Sequence, residues 1–336
     1  MNEQTGRWVG IDISKKKMDV ALVDERGKVR NHVFGNDAKG HAALAHWLAQ
    51  RGCKPEQTGL CMESTGPYSE APAVALTDAG WSVSVVNPAR VKGFAQGELL
   101  RNKTDRADAA LLARFGQAMQ PEVWIAPPVA VRHLRALVDR LQSPKEMLQQ
   151  EAKRLESALN QPVMQTSIHS HMAWLQTSIK ELEKQIDDHI DANPELEADA
   201  QLITSIPGVG STTAAKVLAY LGDVRRFRNA KALAAFIGVT PRQKQSGTSV
   251  RGRSTISRSG HAGIRHSLYM PAMVALKHNP IIKLFGARLK QSGMAPKAVI
   301  SASMHKLVHL IYGILKSGKP FDAKFNRFAL DIQDGI

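Results

Sequence analysis

Two acidic residues lie in apolar segments, where burial of a carboxylate would destabilise the fold. Asp12 interrupts the apolar run Val9–Ile13, and Glu63 ends the apolar run that starts at Leu60. Burying a carboxylate in an apolar strand costs free energy unless a partner compensates it, and a hard divalent cation is one such partner. Asp12 and Glu63 are therefore candidate metal ligands.

Asp105 and Asp108 are three residues apart at the start of a predicted helix, so they share one helix face. Acids at a helix start also suit the helix dipole without any chemistry. Together with the two strand carboxylates, however, they form a set able to hold two Mg²⁺ ions, with Mn²⁺ as the alternative. Such a site polarises a phosphodiester and activates an attacking oxygen, and Lys103 is a candidate phosphate contact.

A second candidate site is the basic, glycine-containing segment 242–253, RQKQSGTSVRGR. A serine among arginines could attack phosphorus, because guanidinium groups stabilise charge on the phosphoryl oxygens. Residue type alone does not choose between the serines of this region, and a phosphate-binding loop without chemistry is the competing interpretation. The serines are Ser246, Ser249, Ser254, Ser257 and Ser259, and the candidate nucleic-acid contacts are Arg242, Lys244, Arg251 and Arg253.

A glycine-rich turn, Pro207-Gly208-Val209-Gly210, lies between two apolar helical runs in residues 202–222. This is the pattern of a helix–hairpin–helix, in which glycines expose backbone N–H groups and the next helix N-terminus favours a phosphate. Gly208 and Gly210 are therefore candidate nucleic-acid contacts, and an ordinary turn between helices is the alternative.

The net charge of +15 is concentrated in one part of the chain. Residues 1–200 hold 24 Lys and Arg against 26 Asp and Glu, residues 201–336 hold 21 against 4, and residues 224–320 hold no acid. Solubility does not require this exclusion, and the basic residues are interleaved with Gly, Ser and Pro rather than laid along one membrane-binding helix. A nucleic acid does favour it, because each carboxylate would repel the phosphates.

The apolar patterns predict a mixed α/β region followed by helices. Strands are expected at 7–13, 17–23, 28–34, 58–63 and 81–86, with helices at 38–51, 68–79, 88–96 and from Asp105. Three strands followed by alternating helices and strands are the order of the ribonuclease-H-like fold, although the pattern alone establishes only an α/β domain.

The rest of the chain is predicted to be mostly helical, with long helices near 129–158 and 168–192 and three further helices near 260–277, 280–291 and 295–316. Residues 168–192 repeat apolar residues in steps of three and four, which is typical of a coiled-coil seam. An antiparallel helical hairpin and a subunit contact both fit this seam. We predict an α/β domain at 1–120, a linker at 121–128, coiled-coil helices at 129–195, a C-terminal domain with the hairpin and the serine loop at 196–325, and a tail at 326–336.

Two cysteines, Cys53 and Cys61, are too few for a disulfide scaffold or a zinc site. No stretch approaches 18 consecutive apolar residues, and the N-terminus lacks the basic-then-apolar pattern of a secretion signal. These features predict a cytoplasmic, nucleoid-associated protein without a membrane partner.

Several sequence blocks together are more specific than any single motif. They are GIDISKKKMDV, MESTGPY, NPARVKGFAQ and RNKTDRADA, then IPGVGSTTAAKVLAYLGD, FIGVTPRQKQSGTSVRG and LYMPAMVA. Over residues 7–325 the chain resembles the DEDD-type transposases of the bacterial insertion-sequence family one-ten. The resemblance implies an N-terminal RuvC-like domain, a central coiled coil and a C-terminal transposase domain.

The resemblance also implies roles for particular residues. The family's four acidic positions correspond to Asp12, Glu63, Asp105 and Asp108, and its nucleophilic serine corresponds to Ser246. Close relatives are RNA-guided recombinases, in which an element-encoded RNA pairs with donor and target DNA. Their dimers assemble into a tetramer and exchange strands through a 5′-phosphoserine link, with the acidic site of one subunit working with the serine of another.

Two other functions fit parts of the same pattern. A RuvC-like nuclease or junction resolvase would use the four carboxylates with water as the nucleophile, and would not need Ser246. A non-enzymatic nucleic-acid-binding protein would need only the basic half. The transposase interpretation uses both the carboxylates and the basic half.

Overall fold

The computed structural model describes residues 6–23, 28–64, 66–99, 104–158, 161–242, 245–246, 250–251, 255–257 and 260–324. The chain divides into two compact units, Met1–Ala126 and Pro127–Ile336, and each has its own hydrophobic core. Lys103, Lys244 and Arg253 lie outside the described residues, as does the predicted tail.

The first unit is built on a five-stranded mixed sheet. The strands are β1 (Arg7–Ile13), β2 (Lys17–Val23), β3 (Val29–Gly35), β4 (Thr58–Glu63) and β5 (Ser82–Val86), and the helices are α1 (Ala38–Gln50), α2 (Pro67–Asp78), α3 (Pro88–Gly97) and α4 (Asp105–Met119). The order is β3-β2-β1-β4-β5, antiparallel from β3 to β1 and parallel from β1 to β5. This confirms a mixed α/β region and agrees with the predicted ribonuclease-H-like order.

The turn between β1 and β2 fixes which residues face each other. The backbone N–H and the hydroxyl of Ser14 both donate to the Lys17 carbonyl oxygen, at 2.9 Å each. The resulting register places Asp12 directly opposite Asp19. Because cross-strand partners point to the same side of a sheet, the two carboxylates share a face.

Helix α4 packs closely on β1 because β1 has a glycine at the contact. A Cβ added to Gly10 would lie 1.9 Å from the Ala109 carbonyl oxygen, and one added to Gly116 would lie 2.2 Å from the ring of Trp8. The helix therefore runs antiparallel to β1. Its first turn lies beside the end of β1, where Asp12 is located.

The segment predicted as a linker at 121–128 is partly tied to this sheet. Trp124 donates its backbone N–H to the Val83 carbonyl oxygen at 2.7 Å, and its side chain packs against the core of the first unit. The division between the units falls between Ala126 and Pro127.

The second unit is mostly helical, as predicted. Its helices are α5 (Val129–Ser157), α6 (Pro162–Asp191), α7 (Pro194–Thr204), α8 (Ser211–Leu221), a 3₁₀ helix (Val224–Arg226), α9 (Ala230–Ile237), α10 (Ala262–Ser267), α11 (Tyr269–His278), α12 (Pro280–Gln291) and α13 (Pro296–Ser317). Within the described residues, α13 alone is long and apolar enough to cross a membrane. It packs against α7, α9, α11 and α12, which is the behaviour of a core helix.

Helices α5 and α6 lie against each other, and Leu134 and Val138 of α5 share a core with Ile186 and Ile190 of α6. Helix α6 begins at Pro162, earlier than the predicted start at residue 168. Proline suits the first position of a helix because its missing N–H would have no partner there. The coiled-coil geometry and the subunit contact stay predictions.

Candidate active site

The two strand carboxylates lie at the same end of the sheet. Asp12 and Glu63 come one position after the β1–β4 pair Ile11–Met62. Two positions earlier, Gly10 pairs with Cys61, and Gly10 packs against α4. Since side chains alternate along a strand, Asp12 and Glu63 also face the α4 side.

The helical pair belongs to the first turn of α4, and it is not needed as the cap. The Thr104 hydroxyl accepts a hydrogen bond from the Ala107 N–H at 3.2 Å and so caps the helix. The Asp105 carboxylate instead accepts a bond from the Lys17 ammonium, with 2.7 Å between Nζ and Oδ2. Asp108 is half-buried nearby. The capping explanation for this pair is therefore removed, although the favourable effect of the helix dipole remains.

A fifth carboxylate, Asp19, belongs to the same group and was missed from the sequence. It is 5% exposed, and its Oδ2 lies 2.9 Å from the Lys17 Nζ. The available signal was an acid within the apolar strand β2, just as Asp12 lies within β1. Its significance depends on the hairpin register, which the sequence pattern does not specify.

Crowding of these carboxylates disturbs the ionisation of Asp12. Burial raises the pKa of Asp12 to about 6, and repulsion from Asp108, Asp105, Asp19 and Glu63 adds to the effect. The hydrogen bond from Lys17, in contrast, lowers the pKa of Asp105. Asp12 therefore lies among like charges, and Lys17 is bonded to two of them, Asp105 and Asp19.

A divalent cation fits this donor set by its chemistry, since Mg²⁺ and Mn²⁺ prefer carboxylate oxygens and would neutralise the surplus charge. Among the residues that the structure describes, no three His, Cys, Asp or Glu side chains are drawn around one point as they stand. Binding would therefore require side-chain rearrangement, and Asp105 would have to leave Lys17 to become a ligand.

Glu63 and Asp108 line an open groove of about 1000 Å³. Helices α3 and α4 form its sides, with an apolar surface that includes Val91 and positive charge from Lys92 and Arg114. A nucleic-acid strand approaching the carboxylates along this groove would meet Lys92, whereas the charge of Arg114 is already paired with Glu98, at 3.2 Å between Nε and Oε2.

Ser246 lies in a small ribbon of the second unit. Strand β7 (Gln245–Ser246) pairs with β8 (Val250–Arg251), and β6 (Pro241–Arg242) pairs with β9 (Thr255–Ile256). Ser246 is thus near the tip of the ribbon, opposite Val250, while Arg242 is exposed at its base. For Ser246 and Arg251 the structure describes the backbone.

The two glycines of the predicted helix–hairpin–helix have different surroundings. Gly208 has φ +101°, and a Cβ there would lie 2.7 Å from the Ala275 nitrogen, so this glycine is required for packing against α11. A Cβ on Gly210 would meet nothing within 4 Å. Ser211, which follows it, lines a cavity of about 160 Å³ together with Glu183 and Asp187. Lys216 lines the same cavity, and Glu183 is paired with Lys145 at 2.7 Å, so these acids do not decide against a phosphate and the contact stays a prediction.

Comparisons with known proteins relate the chain to transposases. The family model DEDD_Tnp_IS110, described as a transposase, matches residues 9–164, and the model of the "Transposase IS116/IS110/IS902 family" matches residues 200–287. A pilin gene-inverting protein of Moraxella lacunata is 33% identical over 320 residues, 95% of this chain and 98% of the relative. The chain belongs to the IS110 family of transposases. It is therefore a DNA transposase or recombinase.

Other similarities are more distant. The transposase of insertion element IS1111A from Coxiella burnetii is 26% identical over 300 residues, 80% of this chain and 78% of the relative. The structure of Thermus thermophilus RuvC aligns with 35% of this transposase and 99% of its own chain, at 14% identity and a TM-score of 0.27. That structural likeness is too low to support a conclusion.

Proposed function

We propose that this transposase cuts and rejoins DNA with a divalent-metal site at Asp12, Glu63, Asp105 and Asp108 and with Ser246 as the nucleophile. The observation that carries the proposal is the gathering of carboxylates around half-buried Asp12, where burial and then repulsion from these neighbours raise its pKa to about 6. Such crowding costs stability, which is expected where a cation is to be bound. The assignment of Ser246 is supported by the family and by its place near the tip of a basic ribbon.

The chemistry is a pair of phosphoryl transfers. The Ser246 oxygen attacks the scissile phosphorus, and its hydroxyl proton passes to water. The new O–P bond forms as the bond to the 3′-oxygen breaks, and that oxygen leaves as a 3′-hydroxyl. A 3′-hydroxyl of another strand then attacks the 5′-phosphoserine, which restores a phosphodiester and frees the serine. A bound Mg²⁺ would supply charge neutralisation at the phosphoryl oxygens.

The second unit is assigned to nucleic-acid binding. Residues 224–320 contain no Asp or Glu, so a polyphosphate meets no repulsive carboxylate along this segment. Donor DNA, target DNA and an element-encoded guide RNA are the proposed partners. The guide RNA and the assembly of dimers into a tetramer are carried over from the family resemblance.

Two single substitutions test the two parts of the site. With cognate RNA and DNA, the wild-type protein should form a covalent protein–DNA species that survives denaturation. Ser246→Ala should abolish that species, whereas the matched Ser249→Ala should retain it. Persistence of the species in Ser246→Ala would show that the serine assignment is wrong. Strand cleavage without it would instead favour a water nucleophile, as in a RuvC-like nuclease.

Asp105→Ala should abolish strand cleavage while leaving DNA binding intact. Full activity in this variant would remove Asp105 from the metal site. The exposed acid Glu56 offers a control, because Glu56→Gln makes the same change of charge in the same unit without touching the cluster.

A second candidate function is site-specific DNA inversion. It is favoured by the pilin gene-inverting relative, which matches at 33% identity over 95% of this chain, against 26% for the IS1111A transposase. Inversion needs the same two phosphoryl transfers and differs only in the arrangement of the sites. A plasmid with two cognate sites in inverted orientation distinguishes the functions, since inversion flips the intervening DNA and transposition inserts the element elsewhere.

A further inference from the structure

The acidic cluster already contains a cation from the chain itself. The Lys17 Nζ lies 2.7 Å from the Asp105 Oδ2 and 2.9 Å from the Asp19 Oδ2, and so connects β2 with the first turn of α4. Lys15 and Lys16 lie in the adjacent turn, and in the described part of the chain neither makes such an ion pair.

The two partners of Lys17 have different environments. The Asp19 side chain is 7% exposed, whereas the Asp105 side chain is 57% exposed. A buried carboxylate without a partner is strongly unfavourable, so the bond to Asp19 anchors the ammonium. The bond to Asp105 is the shorter of the two, but it is exposed, so water can take the place of the ammonium there.

We propose that Lys17 is a tethered cation that occupies part of the acidic site, and that a divalent metal must displace its ammonium from Asp105 in order to bind. This inference rests on the proposed metal site. It accounts for two observations together. The described carboxylates do not surround a common point, and the carboxylate of Asp105 is bonded to the Lys17 ammonium. Lys17 thereby reduces repulsion in the metal-free protein and lowers its affinity for the metal.

The test is a titration of the full-length protein with Mn²⁺, in which electron paramagnetic resonance measures the concentration of the free ion. Lys17→Met should bind Mn²⁺ about fivefold more tightly than the wild type at low salt, which corresponds to the upper range for an exposed ion pair. Lys16→Met removes the same charge from the neighbouring turn and should change the affinity little. Lys17→Arg keeps the cation and should stay close to the wild type.

Removing Lys17 leaves Asp19 buried without its partner, so a double variant, Lys17→Met with Asp19→Asn, guards against misfolding. It should also bind Mn²⁺ more tightly than the wild type. Melting temperatures give an independent readout: Lys17→Met should melt below the wild type without metal, and saturating Mn²⁺ should close that gap.

The outcomes separate this inference from the metal site itself. Suppose that Lys17→Met and the double variant bind Mn²⁺ no more tightly than the wild type, while Asp12→Asn abolishes Mn²⁺ binding. That result would overturn the tethered cation and keep the metal site. An equal increase in Mn²⁺ affinity in Lys16→Met would also overturn the tethered cation, because the effect would then come from the loss of any nearby positive charge. Failure of every variant to bind Mn²⁺ would overturn the metal site and the inference together.

Discussion

Each unit of this transposase holds a group of side chains of the same charge close together. The group is acidic in the first unit and basic in the second. In the first unit, burial and neighbouring carboxylates raise the pKa of Asp12 to about 6. In the second, burial lowers the pKa of His305 to about 4, and repulsion from His309, Lys306 and Lys231 adds to it. In each case the charged form is disfavoured by desolvation and by neighbours of the same sign.

The difference between the units lies in how the charge is distributed. The first unit concentrates acids at one end of a sheet, where one or two small ions would neutralise them. The second spreads its cations over residues 224–320 without any acid between them, which suits an extended polyphosphate. These two distributions fit the proposed metal ions in the first unit and the proposed nucleic acid in the second, and each proposal can be tested separately.

The largest expected effect is the loss of catalysis from the acidic side. Asp12→Asn should lower strand cleavage by about a thousandfold or more, because metal-assisted charge stabilisation contributes several kcal/mol. DNA binding at moderate salt should persist, since it is assigned to the other unit. Cleavage is measured on labelled DNA, and binding by fluorescence anisotropy. A parallel loss of binding and cleavage would contradict the division of roles.

The next effect concerns the contact that brings α4 to β1. Gly10→Ala should lower the stability of the first unit by about 3 kcal/mol or more, because its Cβ would lie 1.9 Å from the Ala109 carbonyl oxygen. Gly93→Ala in α3, where a Cβ meets nothing within 4 Å, should be neutral or slightly stabilising. Urea unfolding followed by tryptophan fluorescence reports this unit, since four of the five tryptophans precede residue 127. Equal stability of the two variants would show that α4 moves to accommodate the methyl group.

The local parts of this fold could be predicted from the sequence. Strands β1 and β2 have the predicted bounds, because apolar runs and a polar turn are properties of consecutive residues. The four acidic positions were recognised for the same reason, as acids in apolar runs or at a helix start. The start of α6 was placed too late, since residues 162–167 continue the helix without the apolar residues that mark the seam.

The parts that depend on tertiary structure could not be predicted. The role of Asp19 requires the β1–β2 register, and its bond to Lys17 joins residues whose proximity no motif encodes. Gly208 was predicted as a phosphate contact from its motif, but its packing against Ala275, a residue remote in sequence, could not be predicted. The predicted helix at 260–277 is divided at Leu268 into α10 and α11, although its apolar pattern is nearly continuous.

A smaller effect should come from the basic side. Lys283 and Lys290 are exposed on α12, and replacing both with Gln should make the salt dependence of DNA binding shallower by about two in log K against log salt. Replacing Lys39 and Lys54, which are exposed in the first unit, should leave that slope unchanged. The slopes are measured by anisotropy at several NaCl concentrations. Equal changes in both double variants would indicate that the first unit carries as much of the phosphate contact as α12.

The smallest effect is a pH dependence that arises from the burial of His305 and from the cations around it. Because its folded pKa, about 4, lies below the ordinary value near 6.5, the unfolded chain binds the proton more readily. Protonation of His305 in the unfolded chain therefore lowers the free energy of unfolding as the pH falls from about 6.5 toward 4, and it has no such effect above pH about 6.5. His305→Gln should therefore lose less melting temperature than the wild type between pH 7 and 5, whereas the exposed His266→Gln should follow the wild type. The same dependence of melting temperature on pH in all three proteins would contradict a lowered pKa for His305. The parallel between His305 and Asp12 would then be wrong.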